Sequence, residues 1–103
     1  MNISIFGLGY VGCVSLGCLA KNGHTVIGVD VNQKKVDLIN SGKPTIIEKD
    51  ISAIIHEQYL LNKITATTNI SEAVSKSEIS IIAVGTPSTF QGHFYFLKID
   101  TMK

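Results

Sequence analysis

The stretch Ile3-Ser4-Ile5-Phe6-Gly7-Leu8-Gly9-Tyr10-Val11-Gly12, answered by Thr25-Val26-Ile27-Gly28-Val29-Asp30, decides how this chain folds. Its first four residues are too apolar for a surface strand and suit the buried central strand of a parallel sheet. The glycines that follow have separate jobs. Gly7 permits a tight turn out of the strand, Gly9 leaves the backbone open to an approaching pyrophosphate, and Gly12 lets the next helix pack closely on the sheet. Backbone N–H groups of the first helical turn, around Tyr10 and Val11, are expected to face the phosphates with the positive end of the helix dipole behind them.

Along that helix Val11, Val14, Cys18 and Leu19 form an apolar stripe at helical spacing. Asn22-Gly23 stops it, since glycine accepts the left-handed conformation that ends many helices. Residues 26–29 make a second buried strand with Asp30 at its carboxyl end. Alone, Asp30 would read as a helix cap. Its position 21 residues beyond Gly9 matches instead the acidic residue that bonds a ribose 2′-hydroxyl about 20 positions on. A carboxylate there also opposes a 2′-phosphate, because juxtaposed like charges cost on the order of several kcal/mol. NAD is therefore expected over NADP, with Lys34 and Lys35 able to soften the preference.

Downstream, a second helix is predicted over 32–41, with Asn32 as N-cap, Val36, Leu38 and Ile39 on its buried side and Gly42 as its stop. Lys43-Pro44-Thr45 breaks the chain. Asp50 is expected to cap a short helix lined by Ile51, Ile54 and Ile55, and the β-branched run 64–68 reads as a third strand. Asn69-Ile70-Ser71-Glu72 has the logic of a capping box. The apolar run 79–84 reads as a fourth strand, ending in the loop Gly85-Thr86-Pro87-Ser88. The resulting order βαβααβαβ implies an α/β fold: a Rossmann-type parallel sheet in the order 3-2-1-4 with flanking helices, holding one half of the full arrangement of about six strands. Residues 7–12 and 85–88 should meet at one crevice on the carboxyl edge. Residues 1–88 form this half-domain. Residues 89–103 read as a divergent tail, with no clean period and four of the seven aromatics, Phe90, Phe94, Tyr95 and Phe96. The tail could add a fifth strand. Otherwise the fourth strand is an unprotected apolar edge, and oligomers through that edge or the tail are expected.

The chain has 103 residues, enough for one small core. Its net charge of +1 supplies no field for nucleic acid. No apolar run reaches the length of a membrane span and no signal-like segment opens the sequence, so a cytoplasmic protein is expected. Cys13 and Cys18, five apart in one helical segment, suit neither a disulfide nor a metal knuckle and read as small core residues. The histidines show no metal-ligand spacing.

Residues 3–12 with Gly23-His24, Val26-Ile27-Gly28-Val29-Asp30, Lys35-Val36, Ile39-Asn40 and Val84-Gly85-Thr86-Pro87-Ser88 together resemble the UDP-glucose/GDP-mannose dehydrogenase family, its GDP-mannose side the better match. The resemblance covers 1–88, the first part of a family member. It implies that the Gly7, Gly9 and Gly12 turn, through the amides of Tyr10 and Val11, holds the pyrophosphate of NAD. Asp30 would take the adenosine ribose, Lys35 the adenosine side and Thr86 the nicotinamide half. Without the resemblance, Lys35 reads equally as a solvated lysine and Thr86 as a turn residue. Members oxidise the primary alcohol of a nucleotide sugar to a carboxylate in two NAD-dependent steps, with a cysteine nucleophile, a lysine and an asparagine that lie beyond position 103. No catalytic residue is therefore assigned here, and the 103 residues alone are expected to bind NAD weakly and turn nothing over. A non-catalytic nucleotide-binding or assembly module is the alternative. The chain departs from the family at Lys49-Asp50, where Pro-Gly is common, and at residues 92–97, where an acidic-hydrophobic segment is usual.

Overall fold

In the computed structural model, the described residues are 1–85 and 94–100, the last of these and positions 84 and 85 by backbone only. Among the described residues, five strands and four helices run β1 (Asn2–Phe6), α1 (Tyr10–Lys21), β2 (Thr25–Val29), α2 (Gln33–Ile39), α3 (Lys49–Leu60), β3 (Ile64–Thr67), α4 (Ile70–Lys76), β4 (Ile79–Gly85) and β5 (Phe94–Asp100). The sheet order is β3-β2-β1-β4-β5, its first four strands parallel as the sequence predicts. β5 lies antiparallel along β4, Ile79 opposite Asp100 and Gly85 opposite Phe94. The exposed β4 edge expected from the sequence is thus not there: the backbone of β5 takes its outer hydrogen-bonding groups.

The side-chain alternation of the strands sorts the two faces. Ile3 and Ile5 of β1, Val26 of β2 and Ile64 and Ala66 of β3 share one core with Cys13, Leu16 and Ala20 of α1, Val36 and Ile39 of α2, and Ile51 and Ile55 of α3. The opposite face of β1 and β4 is polar where α4 meets it. Ser4 and Ser80 bring their hydroxyls within 2.8 Å of each other. Ser77, which follows α4, lies 2.9 Å from the Ser4 hydroxyl and from the Ala73 carbonyl. All three serines are buried, and the chain of hydroxyls satisfies groups that would otherwise be stranded away from water.

Helix α1 differs from its predicted stripe. Its buried positions are Gly12, Cys13, Leu16, Gly17 and Ala20, with Val11, Val14 and Leu19 packed partly against the core. Cys18 is exposed rather than core. Small residues face inward because the helix is pressed between sheet and α3: a Cβ on Gly17 would stand 3.2 Å from Ile54 and 3.3 Å from Ile55. Leu38 is likewise exposed, leaving Val36 and Ile39 to anchor α2. The N-cap of α3 is Glu48, whose carboxylate accepts the Asp50 amide at 3.0 Å, so Asp50 sits in the first turn and the helix is longer than expected.

Asn32 caps α2 through the Lys34 amide and Asn69 caps α4 through the Glu72 amide. Only half of the predicted capping box closes. The Asn69 amide bonds the Thr67 hydroxyl, and Glu72 pairs instead with Lys76 at 3.0 Å, which holds its carboxyl below the usual glutamate range. Helices α1, α2 and α3 end alike, with Gly23, Gly42 and Asn62 in the left-handed region and paired amide-to-carbonyl bonds closing the last turn. No helix among the described residues is long and apolar enough to cross a membrane.

Candidate dinucleotide site

The parallel ladder between β1 and β2 carries the chain to one point. Its last paired residues are Phe6 and Val29, and the Gly7 amide extends the pairing by donating to the Val29 carbonyl at 2.8 Å. Gly7 then turns out of the sheet with φ at +106°, a conformation that costs a side-chain-bearing residue dearly. Gly12 comes back over that turn. A Cβ on it would fall 1.7 Å from the Gly7 carbonyl oxygen, so helix α1 can start here only because this position has no side chain. Gly9 is different, being the N-cap of α1 with nothing within 4 Å of where its Cβ would stand. The space above it is open.

Between these glycines Leu8 is fully buried, its side chain lying against Gly28, where a Cβ would meet it at 2.7 Å. Its amide donates to Asp30 Oδ2 at 2.8 Å, while Asp30 Oδ1 accepts the Asn32 amide at 2.8 Å. Asp30 is therefore tied to the glycine turn and to its own loop at once. An ionised carboxylate has about four lone-pair sites, so each oxygen keeps acceptor capacity for a sugar hydroxyl. Beside it lies a cleft of ≈ 250 Å³ lined by Phe6, Gly7, Val29, Asp30, Val31, Thr68 and Ile70. Val31 and Ile70 present exposed aliphatic surface there.

The amides of Gly9, Tyr10 and Val11 stand at the start of α1, ahead of the first helical bond from Cys13 to Gly9, and donate to no protein acceptor among the described residues. The structure thus brings together Gly7, Gly9, Gly12, Asp30 and the turn carrying Tyr10 and Val11. Lys35 stands in the first turn of α2 and does not line the cleft. Thr86 lies outside the described residues. Leu8, Gly28, Val31, Thr68 and Ile70 are at this site without being among the residues expected there from the sequence. Gly28 was legible in principle, since a glycine inside a strand marks a close approach.

A parallel sheet in this order, with a glycine turn and a carboxylate at the adjoining ends of β1 and β2, defines a dinucleotide-binding domain. The chain belongs to the UDP-glucose/GDP-mannose dehydrogenase family: the model for that family's NAD binding domain matches residues 1–102, and NAD is the cofactor of this domain. It is similar to the GDP-mannose 6-dehydrogenase of Pseudomonas aeruginosa, 47% identical over 102 residues, which are 99% of this chain and 23% of the relative. Among solved structures it resembles a ternary complex of GDP-mannose dehydrogenase from the same organism, with a TM-score of 0.83 and 48% identity over 92% of this chain and 22% of that one. A UDP-glucose dehydrogenase from Pyrobaculum islandicum matches with a TM-score of 0.79 and 35% identity, over 84% of this chain and 20% of that one. The chain thus spans less than a quarter of the length of these relatives.

Proposed function

We propose that this chain is the N-terminal, NAD-binding part of a nucleotide-sugar dehydrogenase that oxidises the primary alcohol of GDP-mannose or UDP-glucose to the carboxylate. The observation that carries the reading is the tie between Asp30 and the Leu8 amide, which sets a ribose-binding acid against the glycine turn. The residues fit the cofactor. Open space over Gly9 and the unpaired amides of Tyr10 and Val11 suit a pyrophosphate, and Asp30 suits the ribose hydroxyls at the mouth of the adjoining cleft. Bound NAD supplies a hydride acceptor. These residues bind it, orient it and reject a 2′-phosphate. Lys35 on the adenosine side and Thr86 on the nicotinamide side belong to the same proposal, as does a cytoplasmic location. The relatives named GDP-mannose 6-dehydrogenase favour GDP-mannose as the sugar nucleotide of a whole protein.

The 103 residues by themselves should bind NAD without oxidising a sugar, since no position in them matches the family's cysteine, lysine and asparagine. Titration calorimetry with NAD and NADP tests this. Saturable NAD binding with NADP weaker by about ten-fold or more is expected from the charge at Asp30. Equal affinity for the two would remove Asp30 as the selector, and NAD reduction on adding GDP-mannose would overturn the separation of binding from chemistry. Equal affinity for ADP-ribose and NAD would favour a plain nucleotide-binding module, because the nicotinamide end would then contribute nothing.

A further inference from the structure

Leu8 stands in the middle of the glycine turn, and both of its backbone groups are held by side chains from elsewhere in the chain. Its amide is held by Asp30. Its carbonyl accepts the Thr45 hydroxyl at 2.7 Å, a part-buried bond across 37 positions. Thr45 belongs to the 40–48 connection between α2 and α3, and nothing in the glycine fingerprint asks for it. The Leu8 carbonyl and the Gly9 N–H are opposite ends of one planar trans peptide, so they point in opposite directions. Fixing the carbonyl fixes where the Gly9 N–H points. That N–H has no protein acceptor among the described residues, and a Cβ on Gly9 would meet nothing within 4 Å, so the place beside it is open to a ligand.

We propose that Thr45 is a positioning residue for the cofactor's pyrophosphate, its hydroxyl holding the Leu8–Gly9 peptide so that the Gly9 amide stays a donor to the phosphates. The inference rests on the NAD-binding reading above and deepens it. It also makes the 40–48 connection, remote in sequence from the turn, part of the phosphate site. The ligand class it concerns is a diphosphate joining two nucleoside-like halves, or ADP-ribose, and not a nucleoside lacking phosphate.

The test uses the whole chain with Thr45→Val and Thr45→Ser, titrated with ADP-ribose and with adenosine while amide resonances are followed. Thr45→Val should weaken ADP-ribose by about five- to ten-fold, as loss of one ordering hydrogen bond does, and Thr45→Ser should stay within about two-fold of the parent. Adenosine affinity should be the same in all three. A valine variant that binds ADP-ribose like the parent would overturn the proposal, as would a parallel loss of adenosine binding, which would mean general loosening. If the valine variant does not fold, the parent still decides: ADP-ribose must move the Gly9 amide resonance, and a Gly9 resonance that stays put overturns the proposal. A parent that binds neither NAD nor ADP-ribose would instead sink the NAD-binding reading itself, and this proposal with it.

Discussion

Gly9 and Gly12 are the same residue type three positions apart, yet the structure asks different things of them. At Gly12 the demand is internal, because the Gly7 carbonyl occupies the place of a side chain. At Gly9 the fold demands nothing, and the open space is where a ligand would come. The two should therefore separate on mutation. Gly12→Ala should cost about 1–3 kcal/mol of stability or more through overpacking against backbone, visible in a denaturation curve. Gly9→Ala should melt with the parent and yet lose about ten-fold or more in NAD affinity, since a methyl group would stand where the pyrophosphate approaches. A Gly9→Ala variant that binds NAD normally would remove the phosphate from this turn. Leu8 shows why sequence reads such a site only in part. Its glycine neighbours and Asp30 stand out by spacing, but the partner of its carbonyl, Thr45, has no spacing rule to announce it.

Helices and strands here are positioned as much by single polar side chains as by apolar periodicity. Asn40, just past α2, donates through Nδ2 to the Ala66 carbonyl and accepts the Ala66 amide through Oδ1, both at 2.9 Å. It therefore acts as one residue of an additional strand along the free side of β3, covering part of an edge that would otherwise invite pairing with another chain. Replacing it strands a backbone donor and an acceptor that are part-buried. Asn40→Ala should cost about 2 kcal/mol, within the range for a lost pair of such bonds, while Asn40→Asp should not recover it because the donor is gone. Urea unfolding of the three proteins measures this, and an alanine variant as stable as the parent would show that water replaces Asn40 at no cost. The order and type of the four parallel strands were legible because buried β-branched runs and helix stops are local signals. The inward face of α1 was not. A stripe of Gly12, Cys13, Gly17 and Ala20 around one leucine carries little hydrophobic signal, and only the closeness of α3 and the sheet explains it. The pairing of β5 with β4 was equally hidden, since antiparallel partnership across the 86–93 connection is a property of the assembled sheet.

At the scale of the whole molecule, one edge of the sheet gathers everything that the functional reading uses. The carboxyl ends of β1 and β2 deliver Gly7 and Asp30 to the same cleft, α1 begins there, and the loops after β2 and β3 bring Val31 and Thr68 to its wall. The parallel pairing of β4 with β1 brings the carboxyl end of β4 to the same edge. Buried serines beneath α4 and a continuous apolar core on the opposite face hold that edge without contributing to it. In the proposed complex a dinucleotide lies across the glycine turn with its ribose on Asp30. Mapping amide resonances of the isotopically labelled chain during titration with NAD tests it most directly. Saturating shifts are expected at residues 8–12 and 30–32, with little change at the far ends of the strands around Thr25 and Ile64. Saturable binding that leaves residues 8–12 and 30–32 unmoved would contradict it.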